Sequence, residues 1–174
     1  MILYLVRHGK TSWNEKGLLQ GQTDIELSEI GKKQAELIKN KIENKIDVCI
    51  SSPLKRAIDT AKIVYDGKII IDPRIIERRF GQLEGKPRSL YNTNAYWNYE
   101  LNKSDMDVES IKDLFSRCSD FICDIKKQYK DSCVLVVTHG ATLRALNFVI
   151  KGFTKDQNLL DFDVVNCAVF KYVL

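Results

Sequence analysis

The sequence predicts an α/β protein that forms a three-layer sandwich, with helices on both faces of a mostly parallel central sheet. Short apolar runs alternate along the chain with longer segments whose apolar residues recur at helical spacing. Strands separated by helices form right-handed β-α-β units, and such units build a parallel sheet that is covered on both faces. The length of 174 residues fits one domain, so we expect a single domain over residues 1–174.

Five apolar runs rich in branched residues predict the strands of this sheet. Four segments with apolar residues three and four positions apart predict the helices between them. The predicted strands are residues 2–6, 46–50, 68–71, 133–138 and 164–174. The predicted helices run from the N-cap Ser28 to about residue 44, from Pro53 to about Tyr65, over 108–129 and over 141–151.

Residues 73–106 are less regular, and we interpret them as a small cap that sets specificity. Within them, residues 74–85 indicate a structured loop, and residues 89 to about 102 indicate a short helix. The aromatic residues of the 91–99 stretch fit two roles, either a lid over a ligand or a second packed layer.

Composition excludes several classes of function. The net charge is +4, but acidic and basic residues are mixed along the helices, unlike the single basic patch of a nucleic-acid binder. No apolar run approaches the ~20 residues of a membrane span. The five cysteines show no C-x-x-C spacing and lie in apolar stretches, as in a reducing compartment. We therefore expect a cytoplasmic protein that binds neither nucleic acid nor membrane.

Two strands of the predicted sheet end in a histidine followed by a glycine. The first strand ends in Arg7-His8-Gly9, and the run 133–138 ends in His139-Gly140; these are the only two histidines of the chain. Ligands of open α/β sheets bind at the carboxyl edge of the strands. If the two strands are neighbours, both imidazoles meet at that edge, which predicts an enzyme.

A third segment supplies positive charge near the same edge. Lys55 and Arg56 fall in the first turn of a predicted helix, where cations oppose the helix dipole. A bound anion shared with the free backbone N–H groups would relieve this conflict, although simple solvation is the alternative and suits Lys55 better. Arg7 and Arg56 would then converge on one phosphate, because guanidinium groups match its oxygens in a bidentate manner.

Together these motifs resemble the histidine phosphatase superfamily, the phosphoglycerate mutase-like group. The resemblance rests on five segments in the family's order, RHGKTSWN, the QG turn, SSPLKRAIDTA, ERRFGQLEG and VVTHG. It implies that His8 is the nucleophile that becomes phosphohistidine, with a carbonyl group on its other nitrogen to fix the tautomer. It also implies that Arg7, Arg56 and a cationic His139 neutralise the phosphoryl oxygens during in-line transfer.

The resemblance adds further site residues. Asn14 and Gln20 would hydrogen-bond the transferring group, although each could be an ordinary polar loop residue. Gly21 and Gly140, the glycines of the QG and HG motifs, belong to the same phosphate-binding set. Glu77 would be the proton donor, since one carboxyl group can act first as acid and then as base. We interpret the nearby Glu84 as structural.

No metal and no cofactor is expected, because arginines and a histidine can neutralise the phosphate and no Asp/Glu cluster has metal-ligand spacing. The residues after His139 are Gly-Ala-Thr, which argues against the acid phosphatase and phytase branch. Two basic stretches, Arg78-Arg79 and Lys86-Pro87-Arg88, resemble the rim that mutases use for a second phosphate, or are solvated loops.

The leading hypothesis is a metal-independent phosphomonoesterase that hydrolyses a small cytoplasmic phosphate ester through phospho-His8. Candidate substrates are sugar phosphates, phosphoglycerate, phosphoserine and α-ribazole phosphate, and phosphate or sulfate should occupy the site. One alternative is a 2,3-bisphosphoglycerate-dependent phosphoglycerate mutase. Another is a non-catalytic phospho-ligand sensor, which the presence of both histidines and Glu77 disfavours. A homodimer is compatible with the sequence.

Overall fold

The protein is described by a computed structural model that covers residues 1–91 and 94–174. Within these residues, five strands form one sheet in the order β3-β2-β4-β1-β5. The first four strands are mutually parallel, and only β5 at the edge runs antiparallel to its neighbour β1. The strands are β1 Ile2–Arg7, β2 Val48–Ser51, β3 Ile69–Ile71, β4 Cys133–Thr138 and β5 Val169–Val173.

Helices connect the strands, and short 3₁₀ turns occupy several of the loops. The α-helices of the described residues are α1 Ser12–Glu15, α2 Glu29–Glu36, α3 Lys55–Val64, α4 Asn94–Trp97, α5 Ile111–Gln128 and α6 Gly140–Lys151. None of these helices is long and apolar enough to cross a lipid bilayer.

The sheet has one apolar layer on each face, which confirms the predicted three-layer α/β sandwich. Alternate residues of β1 face opposite sides: Leu3 and Leu5 belong to one core, and Tyr4 and Val6 to the other. The first core is completed by the long apolar stripe of α5 and by α6. The second core is closed by α2 and α3, which contribute small residues such as Ala57.

The register of the central strands brings the two histidine motifs together. Arg7 at the end of β1 pairs with Thr138 at the end of β4. His8 follows Arg7 and His139 follows Thr138, so the two histidines lie side by side. Strand β2 flanks β4 on the other side, with Ser51 opposite Val137. The segment that carries Arg56 consequently begins at the same sheet edge.

Three element boundaries differ from the prediction. Helix α2 ends at Glu36 rather than near residue 44, because the chain changes to i→i+3 hydrogen bonds: the N–H of Ile38 donates to the carbonyl oxygen of Ala35, and a 3₁₀ turn follows at Lys39–Lys41. Helix α3 begins at Lys55, and Pro53 precedes it rather than lying in its first turn. The last strand begins at Val169 rather than at Val164, because residues 164–168 form a loop whose Val164 carbonyl oxygen accepts from the Arg7 side chain.

Most of the predicted helix over 89 to about 102 is not helical where the structure describes it. Residues 92 and 93 of that prediction lie outside the described residues. The described part contains a 3₁₀ turn, Arg88–Leu90, and the single turn of α4. Loop geometry therefore dominates the segment that we interpret as a cap.

Candidate active site

A cavity of about 590 Å³ opens at the carboxyl edge of the sheet, where the histidine motifs end. Seven of the nine site residues predicted from the sequence line it: Arg7, His8, Gln20, Gly21, Arg56, Glu77 and Gly140. The other two, Asn14 and His139, lie close behind its wall, and His139 packs against His8 with 5.1 Å between the ring centroids.

His8 is held in one tautomer. Its ring is 2% exposed, and Nδ1 lies 2.7 Å from the carbonyl oxygen of Gly9. A carbonyl oxygen can only accept, so Nδ1 carries the proton and Nε2 presents its lone pair. Burial and the positive charges of Arg56 and Arg7 hold the pKa of His8 well below its usual range. The ring is therefore neutral at pH 7 and nucleophilic at Nε2.

Gly9 is required where the loop after β1 meets α2. A Cβ atom on Gly9 would lie 2.4 Å from the carbonyl oxygen of Gly31. The N–H group of Gly9 donates to Thr60 Oγ1 at 3.1 Å, and that hydroxyl donates to the carbonyl oxygen of Arg56 at 2.7 Å. Thr60 thus ties the loop that holds the nucleophile to the helix that carries Arg56.

His139 is fully buried, and its pKa lies well below its usual range, so the protein's own charges disfavour the cationic ring that we expect for phosphoryl transfer. Burial is the largest cause of its lowered pKa, followed by the charge of Arg56. Its Nε2 atom lies 2.6 Å from Ser52 Oγ, and its Nδ1 atom has no hydrogen-bond partner among the described residues. A cationic His139 would need a bound anion to offset the positive charges of Arg56, Arg7 and Arg117. The sequence did not show that these three charges act on the same ring.

The two arginines are fixed by backbone carbonyl groups, and each keeps free N–H donors. Arg7 donates from Nη1 to the carbonyl oxygen of Val164 at 2.6 Å, and Arg56 donates to those of Gly21 and Thr23. The Nε atoms of both arginines are buried and have no partner among the described residues. Burial lowers the pKa of Arg7 to about 9 and also lowers that of Arg56. Two desolvated cations with free donors form a strong anion site.

The QG turn presents Arg56 to the cavity. Gly21 has φ of +54°, and a Cβ atom there would lie 1.9 Å from Glu84 Oε1. Its carbonyl oxygen accepts from Arg56 Nη2 at 2.6 Å. Gln20 is 6% exposed, and its Oε1 accepts from Thr11 Oγ1 at 2.9 Å, which leaves its amide group at the cavity wall. Positive φ and the missing Cβ explain why this position is glycine.

Asn14 has a structural role as well as a free donor. Its Oδ1 atom accepts from the backbone N–H of Thr11, and its own N–H donates to Thr11 Oγ1, which caps α1. Asn166 Nδ2 reaches the same Oδ1 at 3.3 Å and the carbonyl oxygen of His8 at 3.1 Å. The Nδ2 atom of Asn14 is buried without a partner among the described residues.

Glu77 is placed at the start of α6. Its carboxyl group is 8% exposed and accepts from the N–H groups of Arg78, Ala141 and Thr142 at 2.9–3.2 Å. The Thr142 hydroxyl lies 3.2 Å from the same carboxyl group. The N–H groups of Ala141 and Thr142 belong to the first turn of α6, whereas that of Arg78 is the next one along the chain. These hydrogen bonds hold the carboxyl group at the cavity wall.

Glu84 accepts hydrogen bonds from the backbone N–H groups of Gln22, Thr23 and Phe80. It does not line the cavity within the described residues. The structure therefore agrees with its interpretation as a structural carboxylate that holds the QG turn against the ERRFGQLEG segment.

The basic stretches separate into a buried part and an exposed part. Arg78 is fully buried between the rings of Phe80 and Trp97, so its proposed place on a basic rim is wrong. Its guanidinium group donates to the carbonyl oxygens of Glu109 and Tyr96 instead. Arg79 is paired with Asp107 on the surface. Arg88 alone of these arginines is exposed and lines the cavity.

The aromatic stretch supports both interpretations given to it. Tyr96 and Trp97 are buried, and Tyr99 packs at 5.1 Å from Phe115, as in a second packed layer. Trp97 and Tyr91 also line the cavity.

Sequence reasoning did not select Ser52, Thr60 or Arg144 for the site. Arg144 lines the cavity and donates to the carbonyl oxygen of Phe162 at 2.9 Å. Ser52 and Thr60 lie inside the SSPLKRAIDTA motif, so their position was the available signal. Within residues 1–91 and 94–174, no group of three His, Cys, Asp or Glu side chains is arranged to hold a metal ion.

An α/β sheet with two buried imidazoles, two anchored guanidinium groups and one carboxyl group at its carboxyl edge defines a phosphoryl-transfer enzyme. The model of the histidine phosphatase superfamily (branch 1) matches residues 3–173. The chain therefore belongs to this superfamily, and it is a phosphatase of the phosphoglycerate mutase-like family.

Two curated relatives from Arabidopsis thaliana are similar to the chain. A metal-independent phosphoserine phosphatase is 35% identical over 175 residues, which cover 93% of this chain and 74% of the relative. Phosphoglycerate mutase-like protein 4 is 35% identical over 157 residues, or 83% of this chain and 68% of the relative. Among solved structures, a mutant phosphoserine phosphatase from Entamoeba histolytica in complex with phosphoserine has a TM-score of 0.84 and 29% identity, covering 99% of this chain and 90% of that one.

Proposed function

We propose that this chain is a metal-independent phosphomonoesterase that acts on a small phosphate ester through phosphorylation of His8. The observation that carries the proposal is the set of unpartnered donors beside the nucleophile. Arg7 Nε, Arg56 Nε and His139 Nδ1 are all buried without partners among the described residues. Buried polar groups are normally paired. A tetrahedral dianion supplies acceptors for all of them.

In the first step, His8 Nε2 attacks the phosphorus atom in line with the ester oxygen. The N–P bond forms as the P–O bond breaks, and the leaving oxygen takes a proton from Glu77. Arg7 and Arg56 stabilise the equatorial oxygens, where charge is spread in the transition state. Their carbonyl anchors keep the donors in place, so little reorganisation is needed during the reaction.

In the second step, water attacks the phosphorus atom of phospho-His8. The Glu77 carboxylate now accepts a proton from that water, and the N–P bond breaks to return the electron pair to Nε2. The products are inorganic phosphate and the neutral His8 ring that the Gly9 carbonyl group holds in its starting tautomer. Each cycle restores the proton on Glu77.

Phosphoserine and 3-phosphoglycerate are the favoured substrates among the candidates. Arg88 is exposed at the cavity, and no hydrogen bond or ion pair of the described residues engages its guanidinium group. A substrate that carries a carboxylate beside its phosphoester can pair with this group. The named activity of the Arabidopsis relative and the phosphoserine bound to the Entamoeba enzyme support the same substrate class.

A matched substrate pair tests this choice. Phosphoserine and phosphoethanolamine differ by one carboxylate, so kcat/KM should be higher for phosphoserine, and Arg88→Gln should remove most of the difference. Lys86→Gln is the control, since Lys86 is an exposed basic residue of the same stretch that does not line the cavity within the described residues. Equal kcat/KM values for the two esters would exclude carboxylate recognition by Arg88.

A phosphoglycerate mutase is the second candidate, favoured by the 35% identity to phosphoglycerate mutase-like protein 4. The same phosphohistidine would then return its phosphoryl group to a sugar acid rather than to water. Conversion of 3-phosphoglycerate to 2-phosphoglycerate, measured with and without 2,3-bisphosphoglycerate, distinguishes the two. We expect phosphate release to dominate in both conditions. Tight ligand binding without any turnover would instead indicate a phospho-ligand sensor.

A further inference from the structure

Ser52 is the residue that contacts the second histidine. It follows β2 and is fully buried, and its N–H group donates to the carbonyl oxygen of Val137 at 3.0 Å. This bond extends the pairing of β2 with β4, so the position of Ser52 relative to the end of β4 is fixed. Its Oγ atom lies 2.6 Å from His139 Nε2.

The direction of this hydrogen bond follows from the other contacts of the hydroxyl group. The N–H group of Leu54 points to Ser52 Oγ at 3.4 Å, which uses one of its lone pairs. Among the described residues, Ser52 Oγ has no acceptor for its proton other than the imidazole of His139. A buried hydroxyl proton is normally donated. Ser52 therefore donates to Nε2, and the proton of the neutral ring is left on Nδ1.

The Nδ1 atom of His139 is buried beside His8, close behind the cavity wall. It has no partner among the described residues, and the His8 ring is 5.1 Å away between centroids. The charged and titratable groups that act most strongly on this ring are Arg56 of α3, His8 and Arg7 at the end of β1, and Arg117 of α5. All of them favour a neutral imidazole, so the tautomer alone decides whether Nδ1 donates or accepts.

We propose that Ser52 is a positioning residue that fixes the Nδ1–H tautomer of His139, so that a neutral imidazole donates a hydrogen bond to the transferring phosphoryl group. This inference rests on the proposed phosphatase function. Without the hydroxyl group, the ring can place its proton on Nε2. Nδ1 then turns a lone pair toward an anionic oxygen, and a stabilising donor becomes a repulsive acceptor.

Nuclear magnetic resonance tests the tautomer without substrate. The chain has only two histidines, so ¹⁵N-labelled histidine gives two ring systems, and His8→Asn assigns the remaining one to His139. We expect both rings of the unsubstituted protein to carry the proton on Nδ1. In Ser52→Ala, His139 should shift toward the Nε2–H form while His8 stays unchanged. A proton on Nε2 of His139 before substitution, or no change on substitution, would overturn the proposal.

Turnover supplies a second readout. Complete removal of one such donor typically lowers kcat about 10²–10³-fold, and a partial change of tautomer should lower it roughly 10- to 100-fold in Ser52→Ala. A merely structural role predicts a loss of turnover in Ser52→Ala without any change in the tautomer of His139, and that combination would refute the inference.

Two variants control for packing. Ser51→Ala removes a buried hydroxyl group that donates to the Ser52 carbonyl oxygen and does not touch His139, so the tautomer should stay unchanged. Ser52→Cys keeps a weak donor of similar size and should restore part of the Nδ1–H population. Failure of the proposed function would be seen in a different experiment: His8→Ala would keep its turnover, whatever the tautomer of His139 is.

Discussion

Replacing Glu77 with glutamine separates its structural role from its proposed chemical role. The glutamine oxygen can keep the hydrogen bonds that Oε1 accepts from Arg78 and Thr142. Its NH₂ group then stands where Oε2 accepted from the N–H of Ala141 at 3.2 Å, so two donors face each other. One buried hydrogen bond is lost with an unsatisfied donor, which costs about 1–3 kcal/mol of the free energy of unfolding.

The loss of activity should depend on the leaving group. General acid–base catalysis contributes about 10²–10⁴-fold, so kcat/KM for phosphoserine should fall by that factor in Glu77→Gln. For p-nitrophenyl phosphate the fall should be much smaller, because nitrophenolate leaves without a proton. That substrate should also give a burst of one nitrophenolate per site, since the base for dephosphorylation is missing.

Glu84→Gln is the matched control. Glu84 also accepts from several backbone N–H groups, so its substitution should lower the free energy of unfolding by a similar amount. In Glu84→Gln, the ratio of kcat/KM for phosphoserine to kcat/KM for p-nitrophenyl phosphate should be the same as in the unsubstituted enzyme. An equal loss for both substrates in Glu77→Gln would refute the assignment of Glu77 as the proton donor.

Two further predictions follow from the buried charges. Arg56→Lys should lower kcat about 10²–10³-fold in steady-state assays, because one ammonium group cannot serve the Gly21 and Thr23 carbonyl groups and an anion together; activity within twofold would contradict this. The pKa values of His8 and His139 are held below the ~6.5 of an unfolded chain, so stability should be lost as pH falls below that value. At pH 5.5 the free energy of unfolding should be lower by about 1.4 kcal/mol for each histidine, which urea unfolding can measure. His139→Asn should remove the contribution of one histidine. If the pH-dependent loss of stability is unchanged in His139→Asn, the lowered pKa of His139 is contradicted.

The position of the site was predictable because parallel register converts sequence position into spatial position. Each histidine follows the last residue of a strand, and β1 and β4 pair with their ends aligned. Motifs that follow two neighbouring parallel strands therefore lie at the same edge of the sheet, independently of the conformation of the loops. The same reasoning placed Arg56, because β2 flanks β4.

The charge of His139 was not predictable from its motif. Its pKa depends on complete burial and on Arg56 and Arg7, which come from other segments of the chain. Ser52 was missed for a related reason. A serine after a strand is a common residue, and only the 2.6 Å contact with His139 gives it a specific role.

Element ends and the cap were the weakest parts of the prediction. The apolar pattern up to Ile42 predicts one continuous helix, but α2 ends at Glu36 and a 3₁₀ turn follows. Arg78 looked like a surface cation, yet the rings of Phe80 and Trp97 enclose it. For Arg78, tertiary packing outweighed the local pattern.

Identification of the phosphorylated residue tests the central claim most directly. The enzyme is mixed with phosphoserine or p-nitrophenyl phosphate, quenched within milliseconds under alkaline conditions that preserve phosphoramidates, and mapped by mass spectrometry. We predict one phosphoryl group on His8, formed and lost at rates compatible with turnover, and none in His8→Ala. Phosphate on another residue, or unchanged turnover in His8→Ala, would contradict the account.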